Sequence, residues 1–446
     1  MTYLEKIFQY GIIEENTVEE ETLMNTVDIF SAGLGLTDPW FVSDVQLIPT
    51  EESHELELHI SVDFKRGAEF NVLDEDGNVL CDANGQPLEL KATDTVERTW
   101  RHLNFFQYKT FLHARVPKVR WHGKCPQVSV PWARKHSGFT LLFEAMVLEY
   151  AKHMTVSVLA RLVKENDKRL WRIIKHYVEA ALALVDMSEV EMLGMDETSK
   201  KGHNYITLIV DLKTHKVLFV TEGKDASTID AFVKDFKAHG GDPDKVSIIT
   251  CDMSLGFEAG VKACFKNADT IIDKFHVIKH ANEAVDKVRK EEAKTNAALK
   301  KTKYIWLKNA SNLTDRQRSK MGSLSLERLK TGRAYSMRVS LQDIYETCSD
   351  RPSAESRLKK LYFWLTHSRL EPIKKFAGTL KNHWDQILNY FDNRYTNAVL
   401  EGMNSVIQNI KTRARGFRNT EYFATMIYLV CGGLPMEDVM KIAATI

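Results

Sequence analysis

The chain has 446 residues, 44% hydrophobic and 27% charged, an ordinary globular composition with length for several domains of roughly 100–200 residues each. Its 61 Lys and Arg almost cancel 60 Asp and Glu, so bulk charge predicts no polyanionic partner, and any nucleic-acid surface must come from where the cations sit. No run approaches the roughly 18 apolar residues of a membrane span, the first residues lack a basic-then-apolar leader, and six scattered cysteines make no disulfide framework. The expectation is a reduced, cytoplasmic protein with no membrane partner.

Residues 1–30 are acidic, with Glu5, Glu14, Glu15, Glu19, Glu20, Glu21 and Asp28 against Lys6, and read as a solvated helix or lead-in. Leu56, Leu58, Ile60 and Val62 then fall at every second position, the period of a half-buried strand. Turn chemistry follows at residues 74–78 and at Asn84-Gly85. From Thr99 to Thr140 there is no Asp or Glu. Arg101, Lys109, Arg115, Lys118 and Arg120 are interleaved there with Trp100, Phe105, Phe106, Tyr108, Phe111, Trp121 and Trp132. Cations neutralise phosphates and aromatic faces stack on bases, so residues 1–140 read as a β-rich module binding DNA through those five cations. The other reading is a basic but inert face around a small aromatic core.

Residues 141–188 have helical period. Leu141, Leu142, Ala145 and Leu148 share one face, then Val156, Leu159, Ala160 and Val163, then Leu170, Ile173, Ile174, Tyr177 and Ala181. Three short helices so spaced suit a helix-turn-helix, whose last helix would turn Lys168, Arg169 and Arg172 into a major groove. Any small helical bundle shares this spacing, so the reading leans on its position directly after the basic aromatic segment.

From Val190 the period becomes that of strands. Three in succession, ending near Val220, are followed by helix, strand, helix and strand up to Asp273. That order is the order of a ribonuclease-H-like core, a mixed sheet with helices on its faces, over residues 189–274. Residues 275–395 read as an all-α insertion, and 396–446 as the last core helix and C-terminus. The expected fold class is thus multidomain α/β.

Asp196 and Asp252 each follow an apolar strand and could share a divalent cation, since hard cations take oxygen ligands. Glu401 opens the segment EGMNSVIQNIKTRARGFRN, in which Glu401, Asn404 and Gln408 share a helical face. A third carboxylate there would complete a two-metal site, with ions about 3.5–4 Å apart. The same helix runs into Lys411, Arg413, Arg415 and Arg418, a suitable path for a DNA strand. Asp after a strand is commonest as a turn or capping residue, and Glu197, Glu258 and Asp273 compete, so spacing alone leaves the set open.

Several long motifs then coincide in order: MDETSKKGHNY, TCDMSLGFEAGVKACF, IIDKFHVIKHANEAVDKVRKEE and EGMNSVIQNIKTRARGFRN, preceded by ERTWRHLNFFQYKTFLHARVPKVRW and VPWARKHSGFTLLFEAMV. From about Phe30 onward the chain closely resembles the DDE transposases of the bacterial ISL-three insertion-sequence family. The resemblance implies Asp196, Asp252 and Glu401 as catalytic acids, Mg²⁺ or Mn²⁺ as cofactor, two ions, and hydrolysis at transposon ends followed by strand transfer. It implies double-stranded DNA, both transposon ends and target, as partner, a homo-oligomer on that DNA, and association with the nucleoid. Lys201 and His203 match its KGH element, and His276 and Lys279 its FHVIK segment, as supporting residues. The paired CxxC knuckles usual in the family are reduced here to Cys81, His122 and Cys125, with His102 or His113 as candidate fourth ligands. Structural zinc takes four ligands, and a fold that has lost its zinc and stands on its aromatic core is the preferred reading. Two alternatives remain on the same fold: a catalytically silent DNA-binding protein, and a metal-dependent junction nuclease.

Overall fold

In a computed structural model, which describes residues 26–50, 55–74, 79–82, 84–201, 204–223, 226–253, 255–324 and 328–445, the alternating apolar residues of the N-terminal region form strands. After a helix α1 (Thr26–Leu34), β1 (Trp40–Pro49), β2 (Leu56–Phe64), β5 (Asp94–Phe105) and β6 (Tyr108–Lys118) make a sheet in the order β1-β2-β6-β5. The short β3 (Glu69–Asn71) and β4 (Glu89–Lys91) pair separately. Leu58, Ile60 and Val62 on β2 and Leu112, Ala114 and Val116 on β6 are all buried, as the period of two requires. Trp40, Phe70, Trp100 and Trp132 are buried: Trp132 packs edge-on against Trp40 at 4.9 Å and Trp100 at 5.6 Å between ring centroids, with Phe64 and Phe70 beside Trp40.

Three helices follow, α2 (Leu141–His153), α3 (Val156–Val163) and α4 (Asp167–Leu182). Each starts where a capping side chain accepts a backbone N–H: Thr140 from Phe143, Thr155 from Val158, Asn166 from Lys168. Lys164, at φ +55°, turns the chain between α3 and α4.

The chain divides into two compact units, Met1–Leu184 with Pro435–Ile446, and Val185–Leu434. The second is built on β7 (Met192–Lys201), β8 (Asn204–Asp211), β9 (Lys216–Glu222), α5 (Ala226–Ala238), β10 (Ile248–Cys251), α6 (Leu255–Cys264) and β11 (Asp269–Ile272). Its sheet has the order β11-β10-β7-β8-β9; β7, β8 and β9 are antiparallel, while β10 and β11 run parallel to β7. One face buries Leu193, Met195, Ile209 and Ile249 against Phe232 and Phe236 of α5 and Val261 of α6.

A run of helices follows: α7 (Lys274–Glu292), α8 (Lys303–Leu307), α9 (Asp315–Gly322), α10 (Lys330–Thr347), α11 (Arg351–Thr366), α12 (Glu371–Asn382) and α13 (Trp384–Asn393). Their common core, around Trp306, Leu341, Leu361, Phe376 and Phe391, is continuous with Ile271 and Ile272 of β11. Their ends carry local signals: Thr314 and Gln317 form a capping box, and Asp350 caps α11 ahead of Pro352. Then come α14 (Ala398–Arg413) and α15 (Thr420–Cys431), the latter docked on β9 through a hydrogen bond from the Val220 N–H to the Tyr428 hydroxyl at 2.8 Å. The last helix, α16 (Met436–Thr445), leaves this unit and packs on α4 and α2 of the first, a return that no local pattern announces. No helix among the described residues is long and apolar enough to cross a membrane.

Candidate active site and DNA-binding surface

Strand β7 runs further than its apolar stretch suggests. Pairing with β8 carries it past Asp196, which lies opposite Leu208, as far as Lys201. Its pairing with β10 stops at Gly194, opposite Thr250. Asp196 and Asp252 are each two residues beyond that last pair, and they lie near enough for the Asp252 charge to act on Asp196. On the other side of β10, Cys251 lies opposite Ile272, which brings Asp273 next to Asp252 in the same row.

Helix α14 lies along β7 on this face. Leu400 sits over Gly194, Asn404 donates to Asp196 Oδ2 at 2.5 Å, Gln408 donates to Thr198 Oγ1 at 2.8 Å, and the Lys411 ammonium donates to the Ser199 carbonyl. Four helical residues rise about 6 Å and two strand residues about 6.6 Å, so the polar stripe on the helix keeps step with the strand. Gly194 is required by this contact, because a Cβ there would come within 2.7 Å of Leu400 Cδ1.

Asp196 and His276 are both displaced from their ordinary titration. Burial pushes the Asp196 carboxyl above the usual carboxylate range, opposed by hydrogen bonds from the Glu197 N–H and Asn404 and by nearby His276, and reinforced by Asp252. Burial alone would lower His276, but the carboxylates of Asp273, Asp252 and Asp196 outweigh it and raise the imidazole. Its Nδ1 stands 3.6 Å from Asp273 Oδ2, an ion-pair distance too long for a good hydrogen bond. The buried Asp273 Oδ2, His276 Nδ1 and Asn404 Oδ1 have no hydrogen-bond partner among the described residues.

Glu401 is exposed, one helical turn before Asn404, and shares the wall of a cavity of about 390 Å³ with Asp273, Lys274 and Phe275. The structure therefore brings Asn404, and not Glu401, onto Asp196. Among the described residues no three His, Cys, Asp or Glu side chains are placed to hold a metal ion together. Lys279 is exposed on α7 and lines a different cavity with Asp286 and Lys287. Lys201 ends β7, while His203 lies outside the described residues. Arg413, Arg415 and Arg418 are exposed at and beyond the end of α14.

In the first unit the cations of the acid-free segment meet a different fate. Arg101 is 2% exposed: its guanidinium donates to the carbonyls of Thr110 at 3.1 Å and Val163 at 3.3 Å and lies 3.7 Å from Glu165. It is an interior cation, so the expectation that it faces DNA fails on burial. Lys109 lies 3.6 Å from Glu57, Lys118 3.3 Å from Asp94, and Arg115 2.5 Å from Asp63, because β2 and the start of β5 lie alongside β6. Arg120 is exposed. On α4, Lys168, Arg169 and Arg172 are all exposed, though Arg169 is held by Glu165 at 2.7 Å and lies 4.3 Å over the Phe139 ring. Cys81, His122 and Cys125 are exposed and form no such ligand group, so these residues do not fit a four-ligand structural zinc.

The sequence was also compared with known proteins. The pattern of a family described as a transposase matches residues 193–427, more than half the chain and including Asp196, Asp252, Asp273, Glu401 and Asn404. That of the helix-turn-helix domain of transposase family ISL3 matches residues 128–178, spanning α2, α3 and most of α4. The transposase for insertion sequence element IS1001 of Bordetella parapertussis is 26% identical over 359 residues, covering 77% of this chain and 87% of its own. That for element IS1557 of Mycobacterium tuberculosis is 24% identical over 368 residues, covering 75% and 82%. The chain belongs to the ISL3 family of DDE transposases of insertion sequences.

Proposed function

We propose that this transposase binds the terminal inverted repeats of its insertion sequence through α2–α4 and cleaves and joins DNA at Asp196, Asp252 and Glu401, on a ribonuclease-H-like sheet. The observation that carries the reading is the β7–β10 pairing, whose last pair, Gly194 and Thr250, precedes Asp196 and Asp252 by two residues each, with the Asp252 charge felt at Asp196. The sheet supports it too: three antiparallel strands come first, and the two later strands add in parallel beside β7.

The donor set fits a hard divalent cation. Two carboxylates stand close together, burial drives the Asp196 carboxyl toward protonation with the Asp252 charge adding to it, and buried oxygens of Asp273 and Asn404 lack partners among the described residues. Mg²⁺ or Mn²⁺, bound as two ions, would supply Lewis acidity to the scissile phosphate and to the attacking water or 3′-hydroxyl. Asp196 and Asp252 would be the shared ligands, and Glu401 would close the set from α14. Asn404 fixes the rotamer of Asp196 by donating to its Oδ2. His276 balances the negative row from α7. Lys411, Arg413, Arg415 and Arg418 supply a cationic path for the phosphate backbone. Hydrolysis at the element's end leaves a 3′-hydroxyl, and that hydroxyl then attacks a phosphodiester of target DNA, displacing one of its 3′-oxygens. Neither step needs a covalent bond to the protein. Two ends join in one event, so the working form is a homo-oligomer on DNA.

The test is cleavage of a labelled duplex carrying the element's own end, by wild type, Asp252→Asn and Glu401→Ala, in Mg²⁺, Mn²⁺ and chelator. Metal-dependent nicking at the end, lost in both variants, supports the reading. Tight binding without nicking in either metal makes the protein a silent DNA binder. A Glu401→Ala protein that still nicks removes Glu401 from the set and leaves Asp273, third in the row, as the acid to test.

A further inference from the structure

The tip of the β5–β6 hairpin carries a side chain that the fold itself does not need. Phe106 sits at φ +51°, in the left-handed region that glycine and asparagine occupy readily and bulky residues avoid. It is also 78% exposed. Backbone and burial both favour a small polar residue there, so folding stability does not account for a phenylalanine; strain of this kind gathers at functional positions. The ring is nevertheless held. It packs edge-on against Phe105, with centroids 4.5 Å apart, and Phe105 packs in turn on Phe30 at 5.2 Å. The Phe105 N–H donates to Thr110 Oγ1 at 3.0 Å, closing the hairpin beneath it.

The place of this tip is set by Arg101, five residues earlier. Inside the hairpin its guanidinium donates to the Thr110 carbonyl and the Asn104 side chain; across to the helix-turn-helix it donates to the Val163 carbonyl at the end of α3 and pairs with Glu165. One buried cation thus fastens the hairpin to the turn that precedes α4. At about 3.3 Å per residue the tip lies within roughly 16 Å of that fastening. That reach does not exceed about half the roughly 34 Å repeat of duplex DNA, the step from a major groove to the minor groove flanking it.

We propose that Phe106 is a wedge, inserted into a base step of the minor groove beside the major-groove site of α4. The proposal rests on the reading of α2–α4 as the DNA-binding element. Duplex DNA fits the tip better than a second protein chain does, because the adjoining helix carries exposed Lys168 and Arg172, which can hold phosphates as the ring enters. Apolar side chains act this way in other minor-groove binders, unstacking one step and kinking the duplex. Arg101 then acts on DNA indirectly: it fixes the spacing between groove-reading helix and wedge.

The experiment measures binding of the full chain to a duplex carrying the element's end, across a salt series, for wild type, Phe106→Asn and Phe106→Trp. In parallel, 2-aminopurine is placed at successive positions beside the bound site. Phe106→Asn relieves the backbone, so its melting temperature should hold or rise. Its affinity should fall roughly tenfold, the loss of one base–aromatic stack, with an unchanged salt slope because no charge is removed. Wild type should brighten 2-aminopurine at one step; Phe106→Trp should keep that signal and Phe106→Asn lose it. Equal affinity and equal brightening for wild type and Phe106→Asn would overturn the wedge and leave the helix-turn-helix reading standing. A smaller assembly for Phe106→Asn with unchanged DNA affinity would also overturn it and assign the tip to a second copy of the chain. A wild type that does not bind the duplex would overturn both.

Discussion

Replacing Gly194 by alanine should uncouple α14 from the candidate site without touching any acid. The new Cβ would lie 2.7 Å from Leu400 Cδ1 and 2.8 Å from Leu212 Cδ2, against about 3.4 Å for ordinary contact, and Leu400 is fully buried. The helix must therefore retreat by roughly 0.7 Å, or Leu400 must leave its rotamer. Overpacking of this kind costs about 1–3 kcal/mol. Alanine restricts the unfolded chain and offsets about 0.4–1 kcal/mol of that. A net loss of about 1–2 kcal/mol is expected in urea unfolding. The retreat also draws Asn404 from Asp196, now 2.5 Å apart, so end cleavage should fall by at least roughly tenfold while end binding is unchanged. A Gly194→Ala protein with wild-type midpoint and wild-type cleavage would refute the claim that helix and strand are locked at this contact.

Glu144 is fully buried on α2 and accepts from Arg134 Nε at 3.0 Å, Ser137 Oγ at 2.7 Å and the Tyr177 hydroxyl at 2.7 Å, so Glu144→Ala should cost about 3–5 kcal/mol in denaturant unfolding by stranding Arg134. Burial, helped by the neighbouring Arg101 charge, pulls His102 down from 6.5 to about 4. The folded state thus prefers the neutral ring, and this contribution, present above about pH 6.5, is lost as pH falls toward 4. The shift corresponds to at most about 3 kcal/mol, so the stability gap between wild type and His102→Gln should shrink over that window; a constant gap would refute it. Arg101→Gln should lower stability yet leave the salt slope of DNA binding unchanged, because the cation is interior, whereas Arg172→Gln should reduce that slope by about one. A changed slope for Arg101→Gln would return it to the surface.

Much of this molecule could be read from local pattern, because the forces concerned act within a few residues. The period of two at Leu58, Ile60 and Val62 marked a strand, and the stripe Glu401, Asn404, Gln408 marked a polar face of α14, from which Asn404 and Gln408 meet β7. The motifs named the family outright. What local pattern could not settle were the pairings between distant segments. A stretch without an acid looked like a bare cationic surface, yet the sheet lays Asp63, Glu57 and Asp94 against its Arg115, Lys109 and Lys118. Arg101 looked like a phosphate contact and is an interior fastening instead. Asp273 looked like one competing acid among several, and only the β10–β11 register places it in line with Asp252. Charge and hydropathy are properties of a segment, whereas register and burial belong to pairs of segments far apart in the chain. Local pattern therefore names the elements and the side chains they carry, while long-range pairing sets which of those charges neutralise each other and which stay exposed.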